Sequence, residues 1–274
     1  MPRALRVTTR NASFQQWQAL LTNRTKRTRA AEFLVQGVRP VTLAIAQGWP
    51  IRTLIYPDRQ PLSDWARATL ASTDAQQVAM APELMAELAG KESAELVAVV
   101  GIPETNFSDI PRHEHLLVVV FDRPATPGNI GTLLRSADAF GASAVIITGH
   151  AADPYDPRSV RASTGSLFAV PVVRADSHHE VLGWVASVRA SGIPVQVVAT
   201  DEHGVVDVAD HDLTVPTVLL LGNETTGLSA AWRDAADLTV RIPITGAASS
   251  LNVATAATVI LYEAVRQRSS TARR

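Results

Sequence analysis

The sequence predicts an α/β protein built from two domains. Three observations predict it. Apolar runs of strand length alternate with helical patterns along most of the chain. A polar stretch with two prolines, residues 103–115, interrupts that alternation once. The 274 residues are 46% hydrophobic and 19% charged, which is enough apolar material for cores and too little charge for a disordered chain. The expected division is residues 1–102 with a basic N-terminal arm, a linker at 103–115, and residues 116–274.

Residues 13–21 form a helix with Ser13 as its cap. A short strand at 32–36 leads into a helix at 38–47 that ends near Gly48. A strand at 51–56 precedes a helix from Pro61 to about residue 72, proline being tolerated in a first turn. A strand at 76–80, a helix to about residue 89 and a strand at 96–100 complete the first domain. Beyond the linker, strands are expected near 116–121, 144–148, 170–174, 195–199, 217–221 and 238–242. Helices are expected near 129–140, 178–190, 228–235 and 250–267.

Composition excludes several classes. There is no cysteine, which rules out disulfide frameworks and thiolate metal sites and leaves nothing that argues for export. No apolar run approaches the roughly 18 residues of a membrane helix. The arginines near the start precede no apolar segment of the kind a signal peptide needs. A cytoplasmic location is the expectation. His113 and His115 flank Glu114 but lack a third partner, so no metal site is expected.

The net charge of −1 does not suggest a nucleic-acid binder, but its distribution does. Before Glu32 the chain carries Arg3, Arg6, Arg10, Arg24, Lys26, Arg27 and Arg29 and no acidic residue. Such a cluster reads as a phosphate-binding arm, or else as a solubilising tail. Phe14 and Trp17 can stack on bases or face a core.

The most informative stretch is the strand at 116–121 with its succeeding turn and helix. The turn Asp122-Arg123-Pro124-Ala125-Thr126-Pro127-Gly128 opens the helix Asn129-Ile130-Gly131-Thr132-Leu133-Leu134-Arg135. Asn129 can cap that helix, and Arg135 places a permanent cation two turns in. Taken alone, this could be an ordinary strand-turn-helix with one surface arginine. It is also an anion-binding arrangement at the carboxyl end of a strand, where open α/β sheets place their ligands. Two later segments repeat the pattern. Leu219-Leu220-Leu221-Gly222-Asn223-Glu224-Thr225-Thr226-Gly227-Leu228 is a buried strand ending in a glycine-flanked polar loop. Arg241-Ile242-Pro243-Ile244-Thr245-Gly246 continues through Ala247-Ala248-Ser249-Ser250-Leu251-Asn252 into the last helix.

In this order the three segments resemble the motifs of the SpoU/TrmH family of S-adenosylmethionine-dependent RNA ribose 2′-O-methyltransferases. That family belongs to the SPOUT class, whose catalytic domain carries a deep trefoil knot. The run Glu32-Phe33-Leu34-Val35-Gln36-Gly37-Val38-Arg39 resembles the family's substrate-binding domain, which implies an L30e-like fold before the SPOUT domain. The resemblance implies a catalytic set of Asn129, Arg135, Glu224, Ser250 and Asn252. It implies a cofactor pocket of Thr200, Leu221, Gly222, Asn223, Ile242, Ile244, Ser250 and Leu251, and a homodimer through the second domain. Arg10, Arg24, Lys26, Arg27, Arg29 and Arg39 are the RNA-binding candidates.

Arg135 cannot serve as a base, because a guanidinium stays protonated. It suits a phosphate clamp or a stabiliser of developing alkoxide charge. Glu224 suits the task of holding Arg135 or Asn129 in place. Ser250 and Asn252 can cap the last helix. The runs at 14–21, 150–153 and 163–168 narrow the resemblance. They are similar to a branch of the family that methylates a uridine of 23S rRNA and confers resistance to orthosomycin antibiotics. Rival readings are a housekeeping enzyme acting on tRNA or another rRNA site, and a non-enzymatic RNA-binding protein. The chain departs from the family pattern in Asn223, where serine is also common, and in Ala254, where serine is frequent.

Overall fold

Strands that are apolar from end to end must be covered on both faces, and such strands pair in parallel. Leu117–Asp122, Ala144–Thr148 and Thr217–Leu221 are of this kind but for one polar terminal residue each, and each is buried throughout. They lie at the centre of a sheet of seven parallel strands. The computed structural model describes residues 5–90 and 94–271. Arg3 of the basic segment lies outside them. The chain divides into two compact units, Met1–Glu104 with Asp153–Ala169, and Thr105–Ala152 with Val170–Arg274.

The first unit runs β1 (Leu5–Val7), α1 (Ala12–Thr22), α2 (Arg24–Ala30), β2 (Glu32–Gln36), α3 (Val38–Ala46), β3 (Ile51–Pro57), α4 (Asp64–Ala71), β4 (Gln76–Met80), α5 (Pro82–Ala89) and β5 (Val97–Gly101). Its sheet order is β1-β4-β3-β5-β2, with β5 antiparallel to both its neighbours. Alternation along β2 separates its faces. Leu34 joins Phe14, Trp17 and Leu20 of α1 in one core cluster. Its neighbour Phe33 meets Tyr155 with ring centroids 5.0 Å apart. Phe14 and Trp17 are therefore core residues and not a stacking platform.

The second unit runs β6 (Leu117–Asp122), α6 (Pro127–Ala139) and β7 (Ala144–Thr148). The chain then contributes α7 (Pro157–Ser163) to the first unit. It continues with β8 (Val172–Ala175), α8 (His178–Ala190), β9 (Gln196–Thr200), β10 (Val206–Asp207), β11 (Thr217–Leu221), α9 (Ala230–Ala235), β12 (Leu238–Arg241) and α10 (Val253–Thr271). The sheet order is β10-β12-β9-β11-β6-β7-β8.

Several expectations are corrected. Asn11, not Ser13, caps α1, its side chain accepting from Phe14 N at 3.0 Å. Ser63 caps α4, so Pro61 precedes the helix. The helix after β6 begins at Pro127 with Thr126 as its cap, which leaves Asn129 free for other work. The expected linker is folded: Asn106 and Asp109 form a capping box around a short 3-10 turn, and Ile110 is buried in the second core.

The basic arm is also corrected. Residues 24–30 form α2, capped by Asn23. Arg27 is buried, its side chain only 3% exposed. Its Nε donates to Asp153 at 2.7 Å and its Nη1 to Leu20 O at 2.6 Å, so it cannot meet a phosphate. Arg6 belongs to β1 and pairs with Asp58, while Arg10 pairs with Glu87 at 2.8 Å. Residues 153–169, expected in the second domain, pack with the first because Asp153 holds Arg27 and Phe168 O accepts from Trp49 Nε1 at 3.1 Å.

Asp153→Ala removes the carboxylate hydrogen-bonded to the buried Arg27 and leaves only Asp156, at 3.8 Å, to balance its charge. A loss of about 3–5 kcal/mol is expected in denaturant unfolding, with most of it recovered in Arg27→Met/Asp153→Leu. A double variant no more stable than Asp153→Ala would contradict this account.

Candidate active site

The loops after β6, β9, β11 and β12 all leave the sheet at the carboxyl ends of parallel strands, the edge where such sheets bind ligands. They surround a cleft of about 900 Å³. Asn129, Thr200, Gly222, Asn223, Glu224, Ile242, Ile244, Ser250, Leu251 and Asn252 all line it. Two expected site residues do not. Leu221 is buried in β11 directly behind Gly222. Arg135 is exposed on α6, outside the cleft lining.

Glu224 organises this edge. Its carboxylate accepts from Ala125 N at 2.8 Å, Thr126 N at 3.0 Å and Asn129 Nδ2 at 2.9 Å. The Thr126 side chain makes no capping bond, so Glu224 supplies from another loop the anion that the start of α6 calls for. Partial burial pushes the Glu224 carboxyl up. The bonds from Ala125, Asn129 and Thr126 outweigh that and hold it below the usual carboxylate range.

An ionised carboxylate only accepts hydrogen bonds, and this fixes every amide beyond it. Asn129 must present its NH₂ to Glu224, which leaves its Oδ1 to accept from Asn252 Nδ2 at 3.1 Å. Asn252 then turns its own Oδ1 to Ala254 N at 3.0 Å and Thr255 N at 3.3 Å, capping α10. One directed chain thus joins all three sequence motifs. It makes Glu224 a partner of Asn129 and places Asn252 as the cap that the sequence suggested.

The loop after β11 folds back tightly. Asn223 and Gly227 exchange backbone bonds of 3.0 Å. A Cβ on Gly222 would sit 2.4 Å from Gly227 C, so no other residue fits there. Buried Asp122 holds the far end of the loop through Ser229 N at 3.2 Å, and also binds Thr148 Oγ1 at 3.1 Å.

Three motif loops converging on one cleft through a single hydrogen-bonded chain match the pattern read in the sequence. The chain belongs to the SpoU rRNA Methylase family. That family's pattern matches residues 116–262, and the SpoU L30e-like domain matches residues 11–98. Among SpoU relatives, the 23S rRNA (uridine(2479)-2′-O)-methyltransferase of Streptomyces viridochromogenes is 60% identical over 98% of this chain and 94% of its own length. The 23S rRNA (guanosine(2553)-2′-O)-methyltransferase RlmP of Bacillus subtilis is 28% identical, covering 92% and 96%. The crystal structure of the SpoU methyltransferase AviRb from Streptomyces viridochromogenes, in complex with the cofactor AdoMet, superposes with a TM-score of 0.91. It is 59% identical over 95% of this chain and 99% of that one.

Sequence reasoning missed Asp201, Glu202 and His203, which come after β9 and line the cleft of this SpoU domain. Their signal was present: they directly succeed a strand whose last residue, Thr200, was already expected at the site. Asp122 and Arg123 read in the sequence as a turn without a role.

Glu224→Gln puts a donor where three donors converge. A loss on the order of 1 kcal/mol is expected at neutral pH. Because the folded carboxyl titrates lower than the unfolded one, the wild-type advantage is complete above the ordinary carboxylate range. It fades as pH falls through the folded value. Unfolding curves at several pH values should show this convergence, and a pH-independent gap would refute the role.

Proposed function

We propose that this chain is an S-adenosylmethionine-dependent RNA ribose 2′-O-methyltransferase that modifies a single uridine of 23S rRNA. The observation that carries the reading is the chain Glu224–Asn129–Asn252, which gathers three loops around one cleft at the carboxyl edge of a parallel sheet. Membership of the family supports methyl transfer to RNA. Identity of 60% to a uridine enzyme, against 28% to a guanosine enzyme, supports uridine as the target.

The cleft suits the cofactor's chemistry. Ile242, Ile244 and Leu251 offer apolar surface to a purine, and Asp201 and Glu202 offer carboxylates to a cationic amino-acid tail. Thr200, Gly222, Asn223, Ile242, Ile244, Ser250 and Leu251 would hold it, with Leu221 as the wall behind Gly222. When bound, it supplies a methyl group on a sulfonium, an electrophile. Asn129, Ser250 and Asn252 orient the ribose hydroxyl, and orientation can supply much of the rate. Arg135, exposed on α6 and outside the cleft lining, suits the clamp on an RNA phosphate, and its charge favours the developing alkoxide from there. Glu224 is no base, since its bonds to three donors stabilise the ionised form. Water or an RNA phosphate oxygen takes the proton.

Arg24, Lys26 and Arg29 on α2 and Arg39 on α3 are exposed and form the RNA-gripping set, Arg10 being already paired with Glu87. A homodimer through the second unit completes the reading. Val259 and Tyr262 leave α10 with exposed apolar surface at 38% and 56%, and Leu251 is 39% exposed. Such surface favours an interface. The family's trefoil knot is included as well, with the sheet order as support: β11 enters between β6 and β9, while β12 returns outside β9. No helix among the described residues is long and apolar enough to cross a membrane, and a cytoplasmic location fits an rRNA substrate. The physiological role is resistance to avilamycin-type orthosomycins, since a methyl group removes a hydrogen-bond donor and adds bulk where a drug docks.

Arg135→Ala should abolish methyl transfer to a 23S rRNA transcript, with cofactor affinity by calorimetry within a few-fold of wild type. Near-normal turnover would remove Arg135 from the mechanism. Expression in a sensitive bacterium should add one 2′-O-methyl uridine to 23S rRNA and protect against avilamycin, and Arg135→Ala should do neither. Replacing Lys26 and Arg29 with glutamine should lower the logarithmic salt slope of RNA binding by about 0.7–0.9 per contact. An unchanged slope would show that α2 does not touch phosphate.

A further inference from the structure

The first unit holds a second concavity that methyl transfer does not use. It is a cavity of about 320 Å³ with apolar walls that include Leu34, Leu88, Val97 and Val160. Four polar side chains interrupt them: Gln36, Arg39, Arg161 and Thr164. Gln36 closes β2 and lines the cavity, and its Oε1 is buried with no hydrogen-bond partner. Buried carbonyl oxygens nearly always have a partner, so this orphan gains one when the Gln36 side chain turns toward the cavity and meets a donor from outside the chain. Arg39 at the start of α3 and Arg161 near the end of α7 also line it, and both are exposed. Other arginines nearby are already engaged: Arg27 pairs with Asp153, and Arg158 pairs with Asp156.

An apolar cavity of about 320 Å³, one buried acceptor and two cations together describe a ligand. It is small and largely apolar, carries at least one N–H, and is flanked by negative charge. A free anion would not use the apolar walls, and an alkyl chain would not use the orphan acceptor. We propose that this cavity takes one unstacked nucleobase of the bound RNA. Gln36 Oε1 accepts an N–H from the base edge, and Arg39 and Arg161 hold the phosphates on either side. Single-stranded bases splayed into apolar pockets are the ordinary route to sequence-specific RNA recognition. The first unit then selects the RNA by one base, a task distinct from general phosphate grip. The inference rests on the RNA-methyltransferase reading and adds a site to it.

The test uses the full chain and a 23S rRNA transcript, with Gln36→Leu, Val160→Phe and the pair Arg39→Gln/Arg161→Gln. Filter binding gives RNA affinity, and calorimetry with S-adenosylmethionine gives cofactor affinity. Gln36→Leu should weaken RNA binding about tenfold, as loss of a base contact does, with the salt slope unchanged. Val160→Phe, which fills the slot, should do at least as much. The arginine pair should lower the slope by about 1.4–1.8. Cofactor affinity should stay within twofold in all. A carbodiimide that modifies exposed base N–H groups should find one nucleotide protected by wild type and reactive with Gln36→Leu. If Val160→Phe fails to bind cofactor, it is discarded and Gln36→Leu decides. Unchanged RNA affinity and protection in Gln36→Leu, with normal methylation by wild type, overturns the pocket alone. Failure of wild type to bind or methylate RNA overturns the enzyme reading and the pocket with it.

Discussion

One ionised carboxylate sets the geometry of the catalytic edge. Glu224 has no proton to give, so everything that touches it must donate. That single constraint orients Asn129, then Asn252, and ends in the backbone N–H groups that open α10. An amide side chain is otherwise ambiguous, since its two ends are nearly the same shape. Here the charge at one end and the helix terminus at the other leave each amide one satisfactory orientation. The two helix starts that flank the cleft are thereby locked to the loop between them. A change at any link disturbs loops that are about a hundred residues apart in sequence.

Much of this was legible in the sequence, and the reason is physical. Residues 117–121 and 218–221 are unbroken apolar runs, and a helix in which Ile130, Leu133, Leu134 and Ala137 recur can bury only one face. These patterns are local, so a reader of the chain can see them. The three motifs were legible because glycine and small polar residues cluster at strand ends. Less legible was anything that depends on a distant partner. Nothing local distinguishes Arg27 from Lys26 and Arg29, yet Arg27 alone finds Asp153 and becomes core. Nothing local says that Asn129 leaves its capping duty to Glu224, a residue 95 positions away.

The excursion of residues 153–169 shows the same limit on a larger scale. α7 is short, with arginines at 158 and 161, and reads as loop by periodicity. Its place is set by Asp153, which holds Arg27, and by Tyr155 and Phe168, which pack around Phe33 and Trp49. A buried ion pair is a weak source of net stability, yet leaving either partner alone in the core is far worse than pairing them. The pair therefore fixes which segment covers this part of the first unit.

The loop that carries Glu224 is held at both ends, and this bears on catalysis. At one end the carboxylate binds the start of α6. At the other, buried Asp122 receives Ser229 N and the Arg123 guanidinium. Arg123 takes a left-handed conformation with φ of 51°, donates to Gly227 O at 3.3 Å, and has its own carbonyl bound by Asn223 Nδ2 at 2.7 Å. A non-glycine residue in that region is strained, and it persists only where several partners over-determine it. The bonds around Arg123 meet that condition. All of them are bonds within the chain, so the order of the loop comes from its own residues. A site that transfers a group by alignment gains most when its backbone is already in place, because ordering then draws nothing from the interactions that distinguish the transition state. In this chain Asp122 and Glu224 divide that task. Neither needs to touch the reacting atoms to govern how well they meet.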